Sequence, residues 1–249
     1  MNKTRDVILS EGELRRQTRR AFLIGAAATA AGTGGYLWIH SHQDSTGIPK
    51  VERAVLNGNG RLWRSYVSNT RLMPTYSGRN VQRLKPNGNI GLTSPVEDDW
   101  TLAVATGTGP ALTLNLDDIK ALPRVEIITK FCCIEGWSSI VQWAGARFAD
   151  FTRKYFPPDR PLPPYVSLTT PDQDYYVGLD MRSALHPQTL LAYEHNGKPL
   201  TPEHGAPLRL AIPVKYGIKN IKRIGSIEYT SKKPSDYWAE EGYDWFAGL

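Results

Sequence analysis

Apolar and polar residues roughly alternate along residues 125–131, which read Val-Glu-Ile-Ile-Thr-Lys-Phe. A β-branched run that alternates in this way predicts a strand with one face in a core. Shorter apolar runs predict four further strands, at residues 99–104, 112–114, 165–170 and 224–229. The pattern therefore predicts a domain in which β-strands supply much of the core.

Two segments carry helical signals. Asn115 or Asp117 can cap a short helix directly after one of the predicted strands. Ser138 or Ser139 can cap another helix, which makes Gly136 the break between the strand at residues 125–131 and that helix. The residues at helical spacing behind this cap are Ile140, Trp143, Ala144, Arg147, Phe148 and Phe151.

The segment from Asp44 to about Val96 has a different composition, rich in proline and in Asn-Gly pairs. Such pairs mark turns because both residues tolerate positive φ. They occur at residues 57–58, 59–60 and 87–88. We therefore expect a loop-rich N-terminal extension at residues 44–98, followed by a single α+β domain at residues 99–249.

The amino terminus carries a targeting signal. Arg19 and Arg20 stand directly before an apolar stretch at residues 21–39 that is rich in Ala, Gly and Thr. Paired arginines before a weakly apolar stretch are typical of a twin-arginine export signal. An ordinary membrane anchor is the alternative, because a stretch of about 19 residues can just span a bilayer. Residues 1–43 are therefore predicted to be an export signal or an anchor.

Composition and charge narrow the class of protein. The 249 residues are 41% hydrophobic and 22% charged, with a net charge of +6, which is typical of an ordinary globular chain. Nucleic-acid binding requires a denser basic face with a recognisable motif, so we expect no nucleic-acid partner. A local anion-binding pocket explains the mild positive charge equally well.

The chain has only two cysteines, Cys132 and Cys133, and they are adjacent. Adjacent cysteines rarely form a disulfide, because their geometry lies outside the usual range of Cα separations. Cys133 stands where the predicted strand breaks, which suits a thiolate ligand held by rigid elements on both sides. A buried, inert cysteine fits the same position.

A glycine-bearing loop rich in cations follows near the carboxyl terminus. Gly217 would let backbone N–H groups approach an anion, and Arg209 can bind a phosphate with two parallel hydrogen bonds. Lys215, Lys219 and Lys222 surround that glycine. Taken alone, this run of charge fits a solvated face better than an anion site.

These segments resemble a known family. The run Cys-Ile-Glu-Gly-Trp at residues 133–137, with Trp-Ala-Gly at residues 143–145, resembles the cofactor-ligand segment of the sulfite oxidase family of molybdopterin enzymes. Residues 196–222 give a second dense match, and the resemblance extends from about residue 100 to residue 229. Within the family, the chain is most similar to the periplasmic protein-methionine-sulfoxide reductase catalytic subunits.

The resemblance implies a set of site residues. It makes Cys133 both the catalytic residue and the sulfur ligand of molybdenum, which agrees with the softness of a thiolate. The segment around His186 resembles one near the cofactor edge, although we assign His186 no acid or base role. The residues implied to bind the cofactor are Thr170, His204, Arg209, Tyr216, Gly217, Ile218 and Lys219.

The chain also departs from the sulfoxide reductase pattern. His204 stands where those enzymes have asparagine, and Val214 replaces the usual tryptophan. Their N-terminal motif of asparagine and an aromatic residue is not recognisable here. Residues that could substitute for it are Arg71, Tyr76, Arg79 and Asn80.

The implied function is oxygen-atom transfer at molybdenum-molybdopterin in a sulfite oxidase-type fold with mixed β-sheets and short helices. The substrate would be a small-molecule or protein sulfoxide. Because the chain has no Cys-x-x-Cys-His haem motif, electrons would come from a membrane cytochrome or another electron-transfer partner. We expect a periplasmic protein exported by the twin-arginine machinery. Two alternatives stay open: a sulfite-type dehydrogenase that oxidises a small sulfur compound, and a catalytically silent, membrane-tethered binding protein of the same fold.

Overall fold

A computed structural model of the chain describes residues 10–68, 70–93, 95, 99–107 and 109–249. The chain divides into two compact units, residues 1–53 and residues 54–249. The helices are α1 (Glu11–Ser41), α2 (Lys50–Tyr66), α3 (Leu116–Lys120), α4 (Phe148–Tyr155), α5 (Met181–Ala184) and α6 (Tyr237–Glu240). The strands are β1 (Leu102–Ala105), β2 (Leu112–Leu114), β3 (Arg124–Cys132), β4 (Ser138–Arg147), β5 (Tyr165–Thr169), β6 (Tyr176–Asp180), β7 (Leu190–His195), β8 (Lys198–Pro199), β9 (Arg209–Ala211) and β10 (Ser226–Thr230).

The first unit is dominated by α1, a helix of 31 residues with no buried residue. Ser10 caps it, since its hydroxyl accepts a hydrogen bond from the Glu13 N–H while the Glu13 carboxylate accepts from the Ser10 N–H. By length and composition alone, α1 is able to cross a membrane, a property that exported signal sequences share. The apolar stretch at residues 21–39 lies entirely within it.

The second unit contains two five-stranded sheets. In one sheet the strand order is β2-β1-β10-β5-β6, with β1 and β10 parallel and the other neighbours antiparallel. The other sheet has the order β3-β4-β7-β8, and β9 pairs with β7. A large apolar cluster draws on both sheets, while a smaller cluster that includes Val141 and Trp143 draws mainly on the second sheet. The mixed architecture confirms the α+β prediction.

The structure confirms most of the predicted strands and the short helix. β1, β2, β3, β5 and β10 lie where the alternating runs predicted strands, with small shifts at their ends. Asn115 caps α3 by accepting a hydrogen bond from the Asp118 N–H at 3.0 Å. Local sequence signals were sufficient for these elements because burial and propensity agree there.

The helix predicted behind Ser138 or Ser139 is wrong, because residues 138–147 form β4. All nine residues of β3 pair with β4 in an antiparallel hairpin, so β4 satisfies the hydrogen bonds of β3. Gly145 permits β7 to pack closely against β4, because a Cβ at this position would lie 2.0 Å from the Leu191 carbonyl oxygen on β7. Only the end of the prediction is right, since Phe148 and Phe151 lie on α4 and are fully buried.

The loop interpretation of residues 44–96 is partly wrong. Both of the first two Asn-Gly pairs lie inside α2 rather than in turns. Tertiary packing overrides the turn signal at Gly60. A Cβ at this position would lie 3.1 Å from the Cβ of Phe246, so the glycine permits close packing of the helix. The third pair behaves as predicted, with Gly88 at a φ of +72°.

Candidate active site

Cys133 lies at the tip of the β3–β4 hairpin. Its N–H donates a hydrogen bond to the Trp137 carbonyl at 2.9 Å, and its carbonyl accepts one from the Gly136 N–H at 3.2 Å. Gly136 has a φ of +90°, a conformation that favours glycine. The turn therefore holds the Cys133 side chain in one place, where it is 7% exposed.

A cavity of about 160 Å³ opens beside this turn. It is bounded by the hairpin, the segment at residues 84–90, the loop at residues 204–222 and three aromatic side chains from elsewhere. Its lining residues are Leu84, Lys85, Asn87, Gly88, Ile90, Phe131, Cys133, Ile134, Glu135, Trp137, Tyr175, His204, Arg209, Gly217, Ile218, Asn220, Lys222, Trp238 and Tyr243. The cavity thus combines one thiol, a few cations and a largely aromatic wall.

The sulfur of Cys133 has a polar neighbour. The Asn87 amide nitrogen lies 3.7 Å from the Cys133 Sγ and can donate to it. At the rim, the Trp137 indole donates to the Glu135 carboxylate at 3.1 Å. This hydrogen bond, followed by one from Asn87, lowers the pKa of Glu135. An anionic carboxylate therefore lines the cavity at neutral pH.

Arg209 is the buried cation of the cavity, with 2% of its surface exposed. Its guanidinium donates to the His204 carbonyl at 2.9 Å and the Asn220 carbonyl at 3.1 Å, and it lies 4.7 Å from the centre of the Trp143 ring. Burial lowers its pKa to about 9. Among the described residues it forms no ion pair with a carboxylate. A buried cation without a counter-ion favours an anionic ligand.

His204 lies between Arg209 and the N-terminal wall of the cavity. Its Nε2 lies 3.2 Å from the Leu84 carbonyl, which can only accept, so Nε2 carries the proton. Its Nδ1 then accepts from the Thr201 hydroxyl at 2.8 Å. Burial lowers the pKa of His204, and burial together with the charges of His204 and Arg209 lowers the pKa of the stacked His195 to about 4. Both rings are therefore neutral at pH 7.

The structure brings five of the predicted site residues together around one cavity. They are Cys133, His204, Arg209, Gly217 and Ile218. Gly217 has no room for a side chain, because a Cβ there would lie 2.7 Å from the Phe131 ring. The hairpin and the glycine-bearing loop are therefore in direct contact at this point.

Lys219, Thr170 and Tyr216 do not line the cavity. The Lys219 ammonium is fully buried in an ion pair with Asp236 and donates to the Gly178 carbonyl at 3.0 Å, so the predicted point charge on a ligand is not supported. The Thr170 hydroxyl donates to the Asp172 carboxylate at 2.6 Å and accepts from the Tyr175 N–H at 3.1 Å, which leaves it no free proton.

The N-terminal wall of the cavity comes from other residues than expected. Arg71, Tyr76, Arg79 and Asn80 do not line it, whereas residues 84–90 do. Lys222 ties this segment to the site, because its ammonium donates to the carbonyls of Asn87, Gly88 and Glu203 at 2.8 to 2.9 Å. Burial lowers the pKa of Lys222 to about 8.

Sequence reasoning also missed the aromatic wall. Tyr175, Trp238 and Tyr243 reach the cavity from positions 42 to 110 residues beyond Cys133 (175 − 133 and 243 − 133), and their composition resembles that of an ordinary packing surface. His186 is structural, as its Nε2 lies 3.1 Å from the Arg71 carbonyl and burial lowers its pKa. Only the contacts of the folded chain show that the three aromatic residues line the cavity and that His186 does not.

Comparison with known proteins identifies the fold and the family. The family model described as oxidoreductase molybdopterin binding domain matches residues 90–238. The solved structure of the sulfane dehydrogenase SoxCD from Paracoccus pantotrophus is similar, with a TM-score of 0.51 and 16% sequence identity over 57% of this chain and 41% of that chain. At that identity the likeness concerns the fold alone.

Two bacterial relatives are more similar in sequence. A protein of Azospira oryzae, whose name describes a protein-methionine-sulfoxide reductase subunit, is 41% identical over 54% of this chain and 50% of its own length. A protein-methionine-sulfoxide reductase catalytic subunit of Campylobacter jejuni is 36% identical over 61% of this chain and 57% of its own. The chain thus spans about half the length of these relatives. With the family model matching more than half of the chain, it belongs to the sulfite oxidase family of molybdopterin-binding oxidoreductases.

Proposed function

We propose that the cavity beside Cys133 holds molybdenum-molybdopterin and that the chain uses it to reduce a sulfoxide. The observation that carries this proposal is the meeting of a single buried thiol and an uncompensated buried guanidinium in one cavity. A soft thiolate suits a high-valent metal, and a guanidinium suits the phosphate of a pterin cofactor. The relatives named as methionine-sulfoxide reductases suggest the substrate class.

The residues present fit this cofactor. Among the described residues, no three histidine, cysteine or acidic side chains are grouped to hold a metal ion. A metal bound here would therefore have Cys133 as its protein ligand and need its other donors from an organic ligand, as a pterin dithiolene provides. Asn87, at 3.7 Å from the Cys133 Sγ, would stabilise the thiolate and orient it.

Arg209, His204 and Gly217 are the proposed contacts to the rest of the cofactor. Arg209 would bind the terminal phosphate, since an anion would neutralise its buried charge. Gly217 and Ile218 would offer backbone groups, because both residues line the cavity. Tyr216 and Lys219 would then hold this loop from outside the cavity rather than touch the cofactor with their side chains.

When bound, the molybdenum centre supplies two-electron oxygen-atom chemistry. Reduction of a sulfoxide consumes two electrons and two protons and releases a thioether and water. The aromatic wall of Tyr175, Trp238 and Tyr243, together with Trp137, would exclude water and bind the apolar groups of the substrate. Tyr175 would keep the wall in place, as its hydroxyl donates to the Ile218 carbonyl at 2.6 Å and burial raises its pKa.

The proposal includes a partner and a compartment. Electrons would come from a membrane cytochrome or another separate redox protein, in line with the names of the relatives as subunits of a reductase. The arginine pair at residues 19 and 20, within α1, supports export by the twin-arginine route. The protein would then act on the periplasmic side of the membrane.

The experiment uses the full chain purified from a host that makes the cofactor. A reduced dye should be oxidised when methionine sulfoxide is added, and Cys133→Ser should lower this rate by at least about 100-fold because the thiolate ligand is lost. Cys132→Ser is the matched control and should keep most of the rate. Sulfite with an oxidised dye tests the opposite direction. Turnover with sulfite alone, or full sulfoxide turnover by Cys133→Ser, contradicts the proposal.

A further inference from the structure

α2 carries a row of apolar side chains on its solvent side. Val51, Val55, Leu62 and Tyr66 follow one another at intervals of four, seven and four residues, which places them on one face of the helix. They are 44%, 59%, 57% and 51% exposed. We call these four residues the α2 stripe. Gly60, on the opposite face, is buried.

This arrangement is unusual for a helix on a water-soluble surface. An amphipathic helix normally turns its apolar stripe to the core, and single exposed apolar residues need no explanation. Here four apolar residues in register face outward, with Trp63 beside them at 40% exposure. A stripe of this kind, with Gly58 and Asn59 in the turn between Val55 and Leu62, points to an apolar phase or partner that covers it.

The first turn of α2 is fixed next to the last turn of α1. The Lys50 N–H donates to the His42 carbonyl at 2.8 Å, and the Arg53 Nε lies 2.8 Å from the Asp44 carboxylate. Hydrogen bonds from Thr46 and Arg53 strongly lower the pKa of Asp44. If α1 crosses a membrane, α2 therefore begins at the level where α1 leaves it.

Aromatic and basic residues surround this junction. Tyr36 and Trp38, near the carboxyl end of α1, are 61% and 58% exposed, as expected for rings at a membrane interface. Lys50 and Arg61 are exposed on α2, whose basic residues outnumber its single acidic residue, Glu52. An apolar stripe with aromatic and basic residues around it is the composition of a helix that lies in a lipid interface.

We propose that α2 lies in the surface of an anionic phospholipid bilayer. The α2 stripe sits among the upper acyl chains, and Lys50 and Arg61 sit at the level of the lipid phosphates. The proposal does not depend on the reaction that the second unit catalyses.

The test maps lipid contact in the full chain. Leu62→p-benzoyl-phenylalanine places a photo-crosslinker in the α2 stripe. Leu112→p-benzoyl-phenylalanine, at a leucine on β2 that is 43% exposed, is the control. Both proteins are reconstituted into vesicles that contain phosphatidylglycerol and illuminated. Mass spectrometry should find at least about tenfold more acyl-chain adduct at position 62, because the stripe is in contact with lipid.

A second variant distinguishes loss of lipid contact from misfolding. Val55→Asp changes a residue that is 59% exposed, so the fold should be kept while the stripe leaves the bilayer. It should reduce the lipid adduct at position 62 to the level of the control. Equal adducts at positions 62 and 112, or an adduct that Val55→Asp does not change, overturns the proposal. So does a crosslink at position 62 to a protein in native membranes without lipid adducts in vesicles.

Discussion

The ion pair between Lys219 and Asp236 should be the main interaction that holds the loop around Gly217 at the edge of the cavity. Lys219 ends the turn Gly217–Lys219, and its ammonium is fully buried against the Asp236 carboxylate. The same carboxylate accepts the Gly178 N–H and the Ala239 N–H, each at 3.1 Å. One carboxylate thus joins the cavity loop to β6 and to α6, which carries Trp238.

Asp236→Asn tests this function of the pair. The substitution leaves a buried cation without its counter-charge, which costs about 3–5 kcal/mol, and turns an amide donor toward the Gly178 N–H or the Ala239 N–H. At about 2–4 °C per kcal/mol for a unit of this size, the Tm of the full chain in detergent should fall by roughly 10 °C. Hydrogen exchange over residues 216–221 should accelerate, since the loop loses its attachment.

The controls separate the ion pair from the loss of any acidic residue. Asp117→Asn removes a carboxylate that is 91% exposed, and it should leave the Tm unchanged. Lys219→Met combined with Asp236→Asn removes both charges and should be more stable than Asp236→Asn alone by about 2 kcal/mol. An unchanged Tm in Asp236→Asn, or a double variant no more stable than that single variant, would refute the reasoning.

Three further predictions concern packing, pH and the cation of the site. Gly145→Ala should destabilise the second unit by several kcal/mol (about 3), because its Cβ would meet the Leu191 carbonyl, whereas Gly78→Ala, which meets nothing within 4 Å, should not; thermal melts compare them. The free energy of unfolding should fall as pH drops from about 6.5 toward 4. In this range His195 binds a proton in the unfolded chain but not in the folded chain, where its pKa is about 4. His195→Asn should therefore flatten a plot of Tm against pH in this window. Arg209→Met should lower the pterin content of the purified chain by at least about tenfold, since it removes the charge proposed to bind phosphate. Its Tm should change less than that of Asp236→Asn. Full pterin content in Arg209→Met would contradict the assignment of Arg209.

The sequence predicted the fold best where local pattern and tertiary packing agree. The alternation at residues 125–131 marks β3 because the same residues that favour a strand also alternate in burial. β4 was mistaken for a helix because its apolar positions satisfy both periods, and only pairing with β3 and β7 decides between them. α2 was missed because its Asn-Gly pairs are turn signals that packing against Phe246 overrides.

The sequence predicted which segments border the site, but not the direction of each side chain within them. The resemblance identified the hairpin tip at Cys133 and the loop at Gly217, and both border the cavity. It could not predict that the Lys219 side chain turns away, because that depends on Asp236, a residue outside the matching segments. The aromatic wall was equally invisible, since Trp238 and Tyr243 become neighbours of Cys133 only after folding.

We propose that the Cys133 sulfur is the ligand that the chain gives to molybdenum. X-ray absorption at the molybdenum edge measures this most directly, by counting sulfur neighbours in the purified full chain and in its Cys133→Ser and Cys132→Ser variants. We expect the molybdenum in Cys133→Ser to lose a sulfur neighbour and the molybdenum in Cys132→Ser to keep the full set. An unchanged sulfur count in Cys133→Ser, or a loss in Cys132→Ser alone, would contradict it.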